Sequence, residues 1–312
     1  METAPDREGL YAGPVVDAHH HWWDPKMGRH PWLKGQVGPV LGEACLPADY
    51  LRDAKGFDLQ ASVHVEANWD PADPVGEIEW LDTLQRPEGI AARYVAYADL
   101  GASNIETVLD ALCANPRVVG VRSTVSWHPD PALSRTSDRH CMMDRNWRRG
   151  LELLAARGLS CDLLLSPWQT DDAVDAFKSF PDTRFAINHC GSPFDRSENG
   201  LLAWAEGLKR MAGAPNAFLK ISDLVAYDPE WTEESLNRVA RACVGAFGPQ
   251  RCMLASDHPV VSLRAGFRQA YDHFRRAFAD LGPDAQFAMF AGNALEFYRL
   301  RGQQDLGRRR QS

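Results

Sequence analysis

The sequence predicts a single-domain α/β protein, a (β/α)8 TIM barrel, on three observations. Eight short runs rich in β-forming residues alternate with eight amphipathic stretches of helical length. This alternation is typical of parallel strands joined by helical crossovers. Eight such units in 312 residues match the size of this barrel. A doubly wound sheet is the alternative, but no glycine-rich phosphate turn follows the first predicted strand.

The eight predicted strands are short apolar runs rich in Val, Ile, Leu and Ala. They span residues 14–21, 60–67, 90–98, 117–123, 159–165, 183–189, 217–222 and 251–257. No internal repeat or linker interrupts the series, so residues 1–312 are predicted to form one domain. The polar ends, residues 1–12 and 303–312, are expected to be flexible tails.

The predicted helices are amphipathic and carry recognisable ends. They span residues 47–56, 75–86, 103–114, 142–157, 170–179, 198–212, 232–247 and 263–281. Pro47 suits a first helical turn, and Ser103 with Glu106 predicts a capping box. Thr232 is the predicted N-cap of the seventh helix, which Gly248 and Pro249 end.

Composition excludes several classes of function. The chain has 34 Lys and Arg against 42 Asp and Glu, a net charge of −8, which disfavours binding to nucleic-acid phosphates. The chain contains no run of about 18 apolar residues, so the sequence predicts no membrane span. The polar start lacks a secretory pattern, and the seven cysteines form no CxxC pair. These features predict a cytoplasmic protein with reduced thiols and no membrane partner.

Polar residues end most of the predicted strands, and in such a barrel these ends meet at one rim. Buried charges are costly unless they are paired or bound to a metal. The presence of so many polar and charged residues at one rim therefore favours a functional site there. They are Asp17, His19, His20, His21, His64, Glu66, Arg122, Ser123, Asn188, His189, Lys220, Ser222, Ser256, Asp257 and His258.

Strand alternation sorts these residues by face. His19 and His21 share a face with Cα atoms about 6–7 Å apart, a spacing that allows both imidazoles to reach one metal ion. By the same rule His64 and Glu66 share a face, and His64 is expected to point inward with His19, His21 and His189. The neighbouring His20 is predicted to point away and to be structural, and His258 lies off the face of Asp257.

Eight segments, spread over residues 15–300, carry a resemblance to a known family. In order they are VVDAHHHWWDP with HPWL, SVHVEA, GVRS, FAINHCGSP, LKIS, RCMLASDHPV and GNALEFYRL. This ordered set resembles the amidohydrolase superfamily, in its amidohydrolase-2 branch of metal-dependent hydrolases that includes sugar-lactone and dicarboxylate lactone hydrolases. Two motifs depart from the common forms of the family. The strand-eight motif, commonly SDWP, is replaced here by Ser256-Asp257-His258-Pro259, and the strand-seven motif, commonly KLSG, by Lys220-Ile221-Ser222-Asp223.

The resemblance implies a hydrolase that opens the lactone of a sugar acid or related carboxylic acid. It implies one divalent metal at most, because Asp162 stands where binuclear relatives carry a carbamylated lysine. Zn²⁺ suits imidazole and carboxylate ligands, although similar lactonases of this branch work without a metal. The candidate ligands are His19, His21, His189, Asp257 and Glu66.

Catalytic and substrate-binding roles follow from the same resemblance. Asp257 is the candidate general base, and His189 is the second candidate catalytic residue. Arg122 is expected to bind a substrate carboxylate or the developing oxyanion, with His64 and Lys220 as further substrate contacts. Residues 124–141 are the candidate lid.

Several tryptophans follow the predicted strands, in segments expected at the rim. As a group they favour a cyclic organic substrate, because aromatic faces stack on sugar rings and exclude water. Trp22 and Trp168 are the predicted substrate contacts among them. The full set is Trp22, Trp23, Trp32, Trp69, Trp127 and Trp168.

Three other functions stay open at this stage. A metal-dependent non-oxidative decarboxylase of an aromatic or muconate-type acid resembles the same branch. A metal-dependent nuclease shares the HxH barrel, but the negative net charge disfavours it. A non-catalytic binding barrel is the third. The expected partner is a small-molecule lactone or organic acid, and the sequence leaves homo-oligomerisation open.

Overall fold

The computed structural model describes residues 9–300, which form an eight-stranded barrel in which each strand pairs in parallel with the next. The predicted (β/α)8 architecture is therefore confirmed. The strands are β1 (Val15–His20), β2 (Leu59–Val65), β3 (Arg93–Tyr97), β4 (Val118–Thr124), β5 (Ser160–Leu164), β6 (Phe185–Ile187), β7 (Ala217–Ile221) and β8 (Cys252–Leu254).

The first and last strands meet just beyond the carboxyl end of β8. The Asp257 amide donates to the His19 carbonyl at 2.9 Å, and the His21 amide donates to the His258 carbonyl at 2.7 Å. A single parallel bridge joins His20 and His258. This narrow seam brings two of the predicted site segments into direct contact.

Helices surround the barrel wall. They are α1 (Pro47–Asp53), α2 (Gly76–Thr83), α3 (Ile105–Cys113), α4 (Arg145–Ala156), α5 (Thr170–Ser179), α6 (Glu198–Ala212), α7 (Glu233–Phe247), α8 (Phe267–Ala277), α9 (Pro283–Phe287) and α10 (Asn293–Phe297). A π-helical turn, Ala288–Gly292, connects α9 to α10. No helix among residues 9–300 is long and apolar enough to cross a bilayer.

Two apolar cores hold the barrel. The larger one lies between the strands and the surrounding helices, and the smaller one fills the barrel interior. Val16, Val63 and Met253 contribute to the interior core, together with Leu295 and Tyr298 from the carboxyl-terminal segment. This segment therefore packs against the inner residues of the strands, which leaves the opposite, carboxyl-terminal end of the barrel for the polar residues.

Helix ends follow the sequence only in part. Pro47 begins α1, and the Thr232 hydroxyl accepts the Ser235 amide as the predicted N-cap of α7. The capping box at Ser103 is wrong, because a turn that starts at Asp99 delays α3 until Ile105.

Differences at the chain ends are larger. The predicted helices end at residue 281, and α9 and α10 were not predicted because each is only five residues long and lies beyond the eighth unit. Of the predicted tails, residues 1–8 and 303–312 lie outside the described residues. Within residues 9–12, Tyr11 stacks on Phe290 with ring centroids 4.3 Å apart, so this part of the tail is packed.

Candidate active site

The seam between β1 and β8 brings two histidines to one carboxylate. Nε2 of His19 lies 3.1 Å from Nε2 of His21. Oδ1 of Asp257 lies 3.4 Å from the first of these nitrogens and 3.2 Å from the second. Asp257 has a φ of 55°, in the left-handed region, so the chain turns sharply as it leaves β8 and directs this carboxylate to β1.

His189 completes the cluster from the turn after β6. Its φ of 47° is also left-handed, and its Nε2 lies 3.9 Å from Oδ1 of Asp257. Ser222, just beyond β7, positions the ring through its hydroxyl, 2.9 Å from Nδ1. Ligand atoms of His19, His189 and Asp257 all lie within 4.8 Å of one another. Four of the five predicted metal ligands are therefore brought together.

The donor atoms of this cluster fit one divalent metal ion. Nδ1 of His21 lies 2.7 Å from the Val65 carbonyl, which only accepts, so Nδ1 donates and Nε2 is the nitrogen that faces the cluster. Oδ1 of Asp257 is buried and accepts no hydrogen bond from any residue of the described chain. Imidazole nitrogens beside an unpartnered carboxylate oxygen are the kind of donor set that Zn²⁺ binds.

Burial controls the charges of the site. It lowers the pKa of His189 to about 4, and burial together with the charge of Lys220 lowers the pKa of His19 well below its usual range. Both rings are therefore neutral at pH 7, as ligation requires. Burial opposes ionisation of Asp257, but the facing imidazoles and Arg122 outweigh it and lower its pKa. Burial and the negative charge of Asp257 raise the pKa of neighbouring Asp223 well above its usual value.

Glu66 holds Arg122 and is not placed as a metal ligand. Nε of Arg122 donates to Oε1 of Glu66 at 2.6 Å, and its Nη2 donates to the Glu66 carbonyl at 2.7 Å. The second carboxylate oxygen accepts the Asn68 amide at 2.7 Å. Both oxygens of Glu66 are thus used, and the predicted ligand role disagrees with the structure.

Lys220 lies deeper in the barrel than predicted. Its side chain is fully buried, with Nζ 2.5 Å from Oδ2 of Asp162 and 3.3 Å from Nδ1 of His19. Asp162 also accepts hydrogen bonds from Asn188 and from Tyr298 of the interior core. Lys220 therefore supports His19 from below, and the prediction of a direct substrate contact is corrected to a positioning contact.

Two other predicted substrate contacts lie outside the barrel wall. Nε2 of His64 contacts Oε1 of Glu77 in α2 at 3.2 Å, and the inward orientation predicted for His64 is wrong. The prediction placed His64 on the same face as Glu66 by strand alternation, but Glu66 lies beyond the last residue of β2. Trp22 is fully buried between the wall and the helices, against His20 and Tyr50, so its predicted place at the rim is also wrong.

A cavity of about 540 Å³ opens above the cluster at the carboxyl ends of the strands. His21, Arg122, His189 and Asp257 line it among the predicted residues. Trp168 does not; it stands behind Phe194, with ring centroids 6.1 Å apart. Loop residues that the sequence did not single out individually also line the wall: Asn68, Arg135, Phe194, Asp223, Ala226 and Tyr227.

Patterns in the sequence could have found some of these wall residues. Phe194 follows the sixth predicted strand, the same position that singled out the tryptophans. Asp223 replaces the glycine of the common strand-seven motif, a departure that placed a carboxyl group at the rim. The predicted lid, residues 124–141, does lie at the cavity, where Ala132, Leu133 and Arg135 line its wall.

Comparison with known proteins agrees with this architecture. A family model described as Amidohydrolase matches residues 16–300. The chain belongs to the amidohydrolase family. The resemblance drawn from the motifs is therefore confirmed, and this amidohydrolase carries the motifs of its family on the strand ends that surround the cavity.

Three relatives of this amidohydrolase illustrate the range of similarity. Protein y4mH of Sinorhizobium fredii is 31% identical over 293 residues, which cover 92% of this chain and 98% of that protein. The L-fucono-1,5-lactonase of Burkholderia multivorans is 27% identical over 300 residues, covering 91% and 96%. A crystal structure of an amidohydrolase from Burkholderia multivorans with bound zinc has a TM-score of 0.79 at 23% identity, covering 92% and 99%, and shows the shared fold.

Proposed function

We propose that this amidohydrolase opens the lactone ring of a sugar acid or related carboxylic acid. The observation that carries the proposal is the unpartnered Oδ1 of Asp257, which faces three imidazoles on the floor of a cavity large enough for a sugar ring. The names of similar proteins support it, since they include L-fucono-1,5-lactonase and L-rhamnono-gamma-lactonase. The decarboxylase alternative has no such support among the similar curated proteins.

Asp257 is proposed as the general base. Its lowered pKa keeps the carboxylate ionised at pH 7, and Oδ1 is free to accept a proton from a water molecule. The resulting hydroxide attacks the lactone carbonyl carbon, and the bond from that carbon to the ring oxygen then breaks. The proton returns from Asp257 to the ring alkoxide, so the product is a hydroxy acid.

Arg122 is proposed to stabilise the negative charge that develops on the carbonyl oxygen. Glu66 fixes its Nε and Nη2, which leaves the guanidinium rigid at the cavity wall. A donor held in place in this way costs little reorganisation when charge develops. The exposed fraction of Arg122 is 5%, so little water competes for the contact.

We further propose that His21, His189 and Asp257, with His19, hold a single divalent ion, with Zn²⁺ as the first choice. Such an ion would polarise the lactone carbonyl or lower the pKa of a water molecule. The proton transfer assigned to Asp257 and the anion contact assigned to Arg122 also operate without it. Metal content and activity after chelation therefore test this part separately.

Replacing Asp257 by Asn tests the function and the base together. A panel of sugar lactones is assayed for acid release, and aromatic acids are assayed in parallel for CO₂ release. The Asp257→Asn variant should lower kcat by about 10²–10⁴-fold with little change in KM, because the base acts in the transition state. Asp280→Asn, at an exposed carboxylate paired with Arg241, is the matched control and should keep full turnover.

Two outcomes would contradict the proposal in different ways. Near-normal ring opening by Asp257→Asn would remove this residue as the base. Release of CO₂ from aromatic acids, with no acid formed from any lactone, would establish the decarboxylase alternative instead.

A further inference from the structure

The loop between β4 and α4 places one arginine at the mouth of the cavity. Hydrogen bonds hold this loop in place. The Arg135 amide donates to the Ser126 carbonyl at 2.8 Å. Gln169 donates through Nε2 to the Val125 carbonyl at 2.7 Å and to the Arg139 carbonyl at 3.0 Å. The backbone of Arg135 is therefore held in a defined place beside the cavity that its side chain lines.

Arg135 differs from the other arginine of the cavity wall. Arg122 is committed to Glu66 through two hydrogen bonds. The guanidinium of Arg135 has no hydrogen bond or ion pair with any residue from 9 to 300, and its side chain is exposed. Arg139 of the same loop is also engaged, since it donates to the Trp168 carbonyl and lies over Trp127. Arg135 is thus an uncommitted cation at the entrance.

Charge is distributed unevenly across the cavity. Asp257 lies beyond the end of β8 on the floor of the cavity, and the uncommitted guanidinium lies on the loop that follows β4. The Arg135 guanidinium attracts a substrate carboxylate to the mouth of the cavity, whereas the Arg122 guanidinium is already paired with Glu66. An arginine fork also binds a carboxylate through two parallel hydrogen bonds, a geometry that a neutral hydroxyl cannot match. A carboxylate bound at Arg135 would leave the lactone ring in the cavity that Arg122 and Asp257 also line.

We infer that the substrate is a lactone that carries a free carboxylate, and that Arg135 is the residue that selects for this charge. The inference rests on the proposed lactone hydrolysis and specifies its substrate class. Trp23, Trp32 and Phe194 line the same cavity and provide aromatic faces for the lactone ring.

Matched pairs of lactones test the inference. Glucaro-1,4-lactone and glucono-1,4-lactone differ only by a carboxylate in place of a hydroxymethyl group, and galactaro- and galactono-1,4-lactone form a second pair. The wild-type enzyme should have a kcat/KM at least tenfold higher for the carboxylate member of the pair it accepts. Arg135→Gln should lower that value by about 10- to 100-fold, mainly through KM, because a hydrogen bond to a charged group is lost.

The controls separate charge from general damage. Arg135→Gln should change kcat/KM for the neutral lactone by no more than about twofold. Arg135→Lys should recover part of the lost kcat/KM for the carboxylate member, because it restores the charge without the guanidinium fork. Arg139→Gln, on the same loop but outside the cavity wall, should leave kcat/KM unchanged for both lactones of the pair. Raising the salt concentration should weaken binding of the carboxylate member only.

A binding measurement makes the inference independent of catalysis. Titrations with glucarate and gluconate, the ring-opened forms, should show tighter binding of the dianion by the wild type and loss of that preference in Arg135→Gln. Failure of every lactone to react would overturn the proposed function, while this binding preference would still decide the role of Arg135. A wild-type preference for neutral ligands, or an equal effect of Arg135→Gln on both members, would overturn the inference.

Discussion

Six histidines on or near the strand ends fall into two groups, one that faces the cavity and one that faces the surrounding helices. His19, His21 and His189 direct Nε2 toward Asp257 and the cavity. Their neighbours contact structural partners on the helix side of the wall. These partners are Ser62 for His20, Glu77 for His64 and Asp53 for His258.

Charge does not separate the two groups of histidines. Burial lowers the pKa of His19 and His189 in the inner group and of His20, His64 and His258 in the outer group. Neutral imidazoles therefore occur on both faces of the barrel. The difference is convergence, because the three inner rings direct Nε2 toward one unpartnered carboxylate oxygen, whereas each outer ring contacts a different partner.

Replacing the adjacent residues His20 and His21 by the same amino acid tests whether the two groups of histidines differ in function. His21→Gln should lower metal affinity by more than about 100-fold, since loss of a supporting outer contact alone costs 10- to 100-fold, and should lower kcat/KM with it if the ion acts in catalysis. His20→Gln keeps a hydrogen-bonding group beside Ser62 and should leave metal affinity within about threefold. Metal content after dialysis against defined zinc concentrations, together with lactone turnover, measures both.

Thermal unfolding of the two variants provides the control. His20→Gln disturbs a fully buried ring stacked on Tyr50, with centroids 4.4 Å apart, and should lower the melting temperature more than His21→Gln does. Equal loss of metal from both variants would show that the two faces are not functionally distinct.

Much of the inner group could be predicted from the sequence, because strand order and carboxyl ends determine which residues meet at the rim. His19, His21, His189 and Asp257 are all within two residues of a strand end or bridge, where alternation and topology are sufficient guides. The same rule misplaced His64, because alternation alone does not decide which face is inward, and His64 lies in register with the outward-facing His20.

Loop residues could not be placed in this way. Asp223 lies at the rim in a left-handed conformation, with φ at 49°, which no local pattern specifies for an aspartate. Arg135, Phe194 and Tyr227 reach the cavity from long connections whose paths depend on contacts made far away in the sequence. Trp22 followed the first strand as predicted, but its ring turned toward Tyr50 because the space between the wall and α1 accepts a large apolar group.

The outer group can be tested through the pH dependence of stability. Burial and the charge of Glu66 raise the pKa of Glu77 well above its usual value, so the folded chain favours the protonated form. The unfolded chain releases this proton near pH 4.3. The stability that Glu77 contributes is therefore complete below about pH 4.3 and is lost as the pH rises toward the folded pKa.

Glu77→Gln keeps a neutral side chain at every pH and removes this loss. The free energy of unfolding of Glu77→Gln minus that of the wild type should increase by up to about 1.4 kcal/mol per pH unit from about pH 4.5 upward. Chemical denaturation at several pH values measures it, and Glu79→Gln, an exposed position on the same helix, should give a flat difference. Lactone turnover at pH 7 should be unchanged. A flat difference for Glu77→Gln would contradict the assignment of a neutral Glu77.

The smallest expected effect separates two layers of aromatic residues at the cavity. Phe194 lines the cavity, whereas Trp168 packs behind it and against His128, with centroids 4.8 Å apart. Phe194→Ala should raise KM by about 3- to 10-fold, the value of one aromatic contact, and Trp168→Leu should change KM by less than about threefold. Steady-state kinetics on one lactone decide between them. A larger effect for Trp168→Leu would return Trp168 to the substrate-binding role that the sequence predicts, and would show that Phe194 moves aside when the lactone binds.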